Sequence, residues 1–256
     1  MTTTEPSAPL RTGWEDDTPS SDSLALAALR AMADRTADWA EAVGGRVRRA
    51  SGVVLADALS PCLFLNVATV PAVVDPATAR AVADFFPAGR PFLLATPHPT
   101  ADLRPAGLAL VGHPPFMVRP AGGTPPEPPP GVTVVEVRDA AGLDVWDRVL
   151  AAGFPAPHSP APPALLGGPA RFWLARVDGE PVGTALSYVA HGVVDVEAVA
   201  TLPGYRGRGV GAALTWAATL ADPDLPAVLI ASDDGAGVYR EMGYLPVTRW
   251  TLWCRP

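Results

Sequence analysis

The chain has 256 residues, of which 48% are hydrophobic, and a formal net charge of −7. It is long and apolar enough for one large domain or two small ones, and its acidic balance is opposite to the footprint of a nucleic-acid binder. It contains no lysine, which excludes a Walker A loop, a pyridoxal-phosphate Schiff base and any lysine nucleophile.

Residues 1–22 read as a polar tail rich in Ser, Thr, Pro and Asp, expected to be disordered, with no basic segment leading into an apolar one. A helix is expected over 23–43, where Leu24, Ala27, Ala28, Ala31 and Met32 recur at helical spacing. Ser21 or Asp22 is its candidate N-cap, and Gly44-Gly45 ends it. Strands follow at 52–55 and 63–70. Asp75-Pro76 opens a second helix running to about Phe86, since proline at the first helical position sacrifices no hydrogen bond. Residues 91–96 form a short buried strand, and 108–118 are β-like but interrupted by prolines. Residues 120–131, rich in Pro and Gly, lack apolar periodicity and read as a stiff linker.

Beyond the linker a strand spans 132–137, a helix 139–152 and a Pro/Gly-rich loop 153–169, which carries His158 and Ser159. Two strands, 171–177 and 181–188, flank Asp178-Gly179 as a hairpin. A third strand spans 193–200 and runs into a glycine-rich loop. A helix over 209–221, a strand at 227–230, a short helix at 236–242 and a final β segment at 244–253 complete the chain. This element order is mixed α/β. No apolar run is long enough to cross a bilayer, so a soluble, cytoplasmic protein without nucleic-acid or membrane partners is expected, as monomer or homodimer.

The chain repeats itself. Laying residues 91–120 on 227–256 without gaps matches Leu93 with Leu229, Ala95 with Ala231, Arg104 with Arg240, Gly107 with Gly243 and Val111 with Val247. Both stretches end in Arg-Pro. Upstream, Val67-Ala68-Thr69 echoes Val199-Ala200-Thr201, so the chain reads as two copies of one α/β module.

The glycine-rich loop carries the chemistry. Arg206-Gly207-Arg208-Gly209-Val210-Gly211 joins a strand to a helix, where unpaired N–H groups and the helix dipole favour phosphate. Glycines at 207, 209 and 211 let the backbone approach a pyrophosphate, and Arg206 and Arg208 are placed to add charge-assisted bonds. The spacing is not the G-x-G-x-x-G of a dinucleotide fold.

Arg206-x-x-Gly209-x-Gly211 after a strand resembles the R/Q-x-x-G-x-G/A motif of the GNAT superfamily of N-acetyltransferases. The element order from 132 to 253 resembles that fold as well. The resemblance implies two GNAT-like modules, each a mostly antiparallel sheet flanked by helices. It implies a splayed strand pair holding acetyl-CoA in the second module, with main-chain groups of Val199, Ala200 and Thr201 on the pantetheine arm and Gly207, Gly209, Val210 and Gly211 on the pyrophosphate. The expected organisation is a degenerate copy at 23–120, a linker at 121–131 and a catalytic domain at 132–256. The first copy has neither the arginine nor the glycines after Val67-Ala68-Thr69, and Asp75 there would repel a phosphate.

The resemblance also implies a general acid. Tyr239 precedes x-x-x-Gly-Tyr, as does the family's proton donor to the coenzyme A sulfur, whereas the aligned residue of the first copy is Leu103. Asp195 and Glu197 share a strand face by period-two alternation. Glu197 is the candidate base, and a packing or ion-pair role is its alternative. Cys62 and Cys254 read as core thiols, and the four histidines share no ligand spacing, so no metal is expected. The expected activity is acetyl transfer from acetyl-CoA to an amine of a small molecule or peptide by direct attack in a ternary complex. The alternative is a non-catalytic acyl-CoA-binding regulatory module.

Overall fold

The computed structural model describes residues 21–232 and 235–256, so residues 1–20 of the expected tail lie outside the described residues. The last two residues of that expected tail open helix α1, Ser21–Ala42, and the expected N-cap side chains are likewise not described. α1 is buried on several sides, through Ala28, Ala31, Ala37, Ala40, Leu29 and Trp39. Its small residues let it lie close to two sheets at once, touching strands on either side of the linker.

The first half continues with β1 Arg46–Ala50, β2 Val53–Asp57, β3 Asn66–Thr69, α2 Pro76–Ala83, β4 Phe92–Thr96, β5 Ala109–Gly112 and β6 Pro115–Arg119. The second contains β7 Val132–Val137, α3 Ala140–Gly153, β8 Ala170–Val177, β9 Glu180–Ala190, β10 Val193–Thr201 and α4 Val210–Thr219. It ends with β11 Ala227–Ile230, α5 Ala236–Glu241, β12 Leu245–Arg249 and β13 Thr251–Arg255. The architecture is mixed α/β: two mostly antiparallel sheets flanked by helices. Sequence reading missed β1, since Arg46-Val47-Arg48-Arg49-Ala50 is a charged edge strand with no apolar face to reveal it.

The sheets do not divide at the linker. One runs β1-β2-β3-β4-β13-β5 and the other β12-β6-β11-β10-β9-β8-β7. Each half therefore sends its last strand into the other half's sheet. β6 lies antiparallel between β11 and β12, with Val118 opposite Val228, and β13 lies antiparallel between β4 and β5, with Trp253 opposite Leu94. The expected boundaries at 120 and 132 thus part the sequence but not the sheets, and the single final β segment is two strands in two sheets.

The repeat explains why the exchange is possible, because the two last strands occupy equivalent places after equivalent elements. At the crossing, Pro114-Pro115 lacks the N–H groups a hairpin would use and keeps the chain extended. The two crossing segments are tied there by Trp250 N–H to the Pro114 carbonyl (3.1 Å). Trp250 is fully buried against Phe116, with ring centroids 5.5 Å apart. One continuous core joins Trp39, Leu143, Trp146, Phe172 and Leu252 across the halves.

Candidate active site

β10 and β11 run parallel, but they pair only at Val194 with Ala227 and Asp195 with Val228. Beyond Asp195 they part. A bulge between Glu197 and Ala200 turns β10 away, with Ala198 at φ 50° and its carbonyl accepting from Thr184 Oγ1 at 3.1 Å. Val199, Ala200 and Thr201 follow. Ala200 and Thr201 rejoin the β9 ladder opposite Thr184 and Gly183, while Val199 lines the gap.

The glycine-rich loop lies at the end of β10, as expected. Gly207 and Gly209 hold φ values of 71° and 76°, which side chains disfavour. Gly209 stands at the N-cap of α4 with no side-chain cap, so the N–H groups of Val210, Gly211 and Ala212 are unused by the helix; the first intrahelical bond is from Ala213 to Gly209 at 3.0 Å. A Cβ at Gly209 would stand 2.7 Å from Pro129 Cγ, which shows that the linker packs on this loop.

The two arginines of the loop make contacts within the chain. Arg206 turns inward, its Nε donating to the Thr201 carbonyl (3.1 Å) and an Nη to the Gly153 carbonyl at the end of α3 (3.2 Å). These bonds fasten the loop to the domain. Arg208 lies over the Tyr205 ring, 5.4 Å from its centroid.

The first copy offers a contrast. α2, the counterpart of α4, has its N-terminus capped by Asp75, whose carboxylate accepts from Thr78 N–H at 2.7 Å. A carboxylate of the chain itself thus fills the place where an anion would bind.

From the parting strands a cavity of about 740 Å3 opens between the two halves. Glu197 and Tyr239 both line it. The Tyr239 hydroxyl makes no hydrogen bond among the described residues, and its pKa is pushed up to about 12, first by burial and then by the charge of Glu197. Leu103, at the aligned place in the first copy, is fully buried.

Asp195 and Glu197 do share a face, and the bulge falls beyond both. What they face was not foreseen: Arg35 of α1 donates to Asp195 at 3.2 Å through Nε and to Glu197 at 2.8 Å through an Nη. The Arg35 and Asp195 side chains are only 9% and 6% exposed, and Glu197 is 28% exposed. Burial, together with repulsion from Glu197, raises Asp195 to about 7 against the pull of Arg35. Glu197 is thus a member of an ion-pair cluster as well as a cavity wall, with its second oxygen free of hydrogen bonds among the described residues. The signal for Arg35 was present in the sequence: it continues the stripe of Ala28, Ala31, Met32 and Trp39, where a cation is out of place unless paired.

His158 also lines the cavity. Its Nε2 stands 3.2 Å from Asp147 Oδ1 without a hydrogen bond's alignment and is cut off from solvent. Asp147, raised by burial, accepts the Ala161 N–H on both oxygens at 3.0 and 3.1 Å. Among the described residues no group of His, Cys, Asp and Glu could hold a metal ion, and no helix is long and apolar enough to cross a membrane.

Residues 144–244 match the family model described as Acetyltransferase (GNAT) family. Among solved structures, a GCN5-related N-acetyltransferase from Kribbella flavida is 27% identical, with a TM-score of 0.65 over 90% of this chain and 95% of that one. That coverage takes in both sides of the linker. A putative acetyltransferase of the GNAT family from Novosphingobium aromaticivorans shares the fold at 19% identity, with a TM-score of 0.57 over 81% of this chain and 89% of that one. No curated protein sequence matches the chain.

Proposed function

We propose that this chain, which carries a GNAT acetyltransferase domain over residues 144–244, moves the acetyl group of acetyl-CoA directly onto an amine of a small molecule or peptide. The observation that carries this reading is the parting of β10 from β11 above an uncapped helix, in a cavity that Tyr239 and Glu197 line.

The free N–H groups of Val210, Gly211 and Ala212 fit a pyrophosphate, with no side chain at Gly207 or Gly211 in its way, while Gly209 makes room for Pro129. The unpaired edge of β10 past Asp195 fits the amide groups of the pantetheine arm, leaving the thioester beside Tyr239. A pKa of about 12 keeps the Tyr239 hydroxyl protonated at neutral pH, so it has a proton to give the departing thiolate. The acceptor ammonium yields its proton to Glu197, and the amine attacks the thioester carbonyl. As the C–N bond forms, the C–S bond breaks, the thiolate takes the Tyr239 proton, and the second proton lost by the nitrogen restores the Tyr239 hydroxyl. Holding both substrates close and aligned in one cavity supplies much of the rate. The live site is assigned to the second module, 132–256, completed by β6; in the degenerate first copy, 23–120, Asp75 and Leu103 replace the anion site and the proton donor.

The test is thiol release from acetyl-CoA over a panel of amines, with Tyr239→Phe as control. No binding of acetyl-CoA at millimolar concentration would refute the reading. Binding without turnover of any amine would make the chain an acyl-CoA-binding regulator instead.

A further inference from the structure

Once the acetyl end of the donor is seated, the rest of the cavity must take the acceptor, and its wall is distinctive. It is mainly apolar, aliphatic with several aromatic rings, and built from both halves: Trp39 and Leu65 from one, Trp146 from the other, and Leu252 from the exchanged strand. Phe64 and Phe154 meet across the two halves edge to face, 5.9 Å apart at 75°. Both rings are exposed, at 40% and 37%, although nothing in the fold requires large apolar side chains to remain open there.

Several polar groups on the wall have partners within the chain, which leaves chiefly the Tyr239 hydroxyl and one Glu197 oxygen to meet a ligand. Ser159 Oγ is 2.7 Å from Ser60 Oγ, and Ser232 Oγ accepts the Gly235 N–H at 3.2 Å. The two cations on the wall are held as well: Arg35 by its two carboxylates, and Arg249 by the His113 carbonyl. A polyhydroxylated acceptor would lose its hydration here with few partners in return. Glu197 lines the cavity with one carboxylate oxygen free of Arg35, which attracts an ammonium and repels a carboxylate placed beside it.

We propose that the acceptor is a primary monoamine on an apolar body, aromatic or branched aliphatic, with no carboxylate beside the amine. Glu197 receives the ammonium, and the Phe64–Phe154 pair closes on the body. This rests on the acetyltransferase reading above.

The experiment uses the full chain and acetyl-CoA with matched acceptors: phenylethylamine against phenylalanine, and isoamylamine against leucine. Spermidine and a polyhydroxylated aminoglycoside represent other amine classes. The monoamines are expected to exceed their amino-acid counterparts at least 100-fold in kcat/KM and to exceed the polar amines similarly. Phe64→Ser is expected to raise the KM for phenylethylamine at least tenfold, with acetyl-CoA affinity unchanged. Equal or better turnover of the amino acids, of spermidine or of the aminoglycoside overturns the proposal and leaves the acetyltransferase reading standing. So does a Phe64→Ser variant that changes only the preferred length of the acyl donor. Failure to bind acetyl-CoA, or turnover of no amine at all, overturns both.

Discussion

Arg35→Met removes a cation that two carboxylates share, and its consequences can be worked from the structure. The Arg35 and Asp195 side chains are 9% and 6% exposed, with contacts of 3.2 and 2.8 Å to Asp195 and Glu197. Methionine fills a similar volume, so the change is chiefly electrostatic. Breaking a buried pair by removing one partner costs about 3–5 kcal/mol, a large share of the roughly 5–15 kcal/mol that holds a typical domain. The sign of the pH dependence follows. Without Arg35 the ionised forms of both carboxylates lose the cation that pairs with them, so the folded state holds protons more tightly than the unfolded chain does. Stability should therefore fall more steeply than in the wild type as pH rises from about 5 to 8. Denaturant unfolding at both pH values measures it. A loss below about 1 kcal/mol at pH 8, or an equal loss at both, would refute the account. If Arg35→Met does not fold at pH 8, Arg35→Met with Asp195→Asn and Glu197→Gln should fold there, since it leaves no uncompensated charge.

Three further outcomes are expected. Tyr239→Phe should lower kcat by about 10²-fold or more without weakening acetyl-CoA binding, as kinetics and a binding titration would show; with its pKa near 12, Tyr239 contributes no break to the pH–rate profile below pH 10. Asp195, raised from 3.8 to about 7, contributes stability that is present in acid and is lost as pH rises through 7. The advantage of wild type over Asp195→Asn should therefore shrink between about pH 4 and 7, read as melting temperature across that range. Gly209→Ala places a side chain at φ 76° and 2.7 Å from Pro129. It should cost about 1–3 kcal/mol in denaturant unfolding and weaken acetyl-CoA binding; an unchanged affinity would remove this glycine from the site.

Much of the local structure was legible because its causes are local. Helical spacing of Ala and Leu, Asp-Pro and Asp-Gly signals and the glycines of the 206–211 loop each act over a few residues, and the elements formed near where they were expected. Asp75 illustrates this: a carboxylate before a proline caps α2 as its type dictates. The charged edge strand β1 was missed for the complementary reason, since it has no buried face to leave a pattern. The contacts of Arg206 were not legible because its residue type suits a phosphate and a backbone carbonyl equally, and its bond to the end of α3 depends on where tertiary structure places that helix.

By itself, then, the sequence determined a mixed α/β chain made of two related modules, and a phosphate-suited loop in only the second. Three features waited on tertiary structure. The exchange of β6 and β13 depends on two equivalent strands competing for equivalent slots, and strand periodicity is the same in either sheet. The clamp of Arg35 on Asp195 and Glu197 joins residues about 160 positions apart, so no window of sequence contains it. The Phe64–Phe154 wall arises where two halves meet, and an aromatic side chain carries no local sign of whether it will be buried in a core or left open to a ligand.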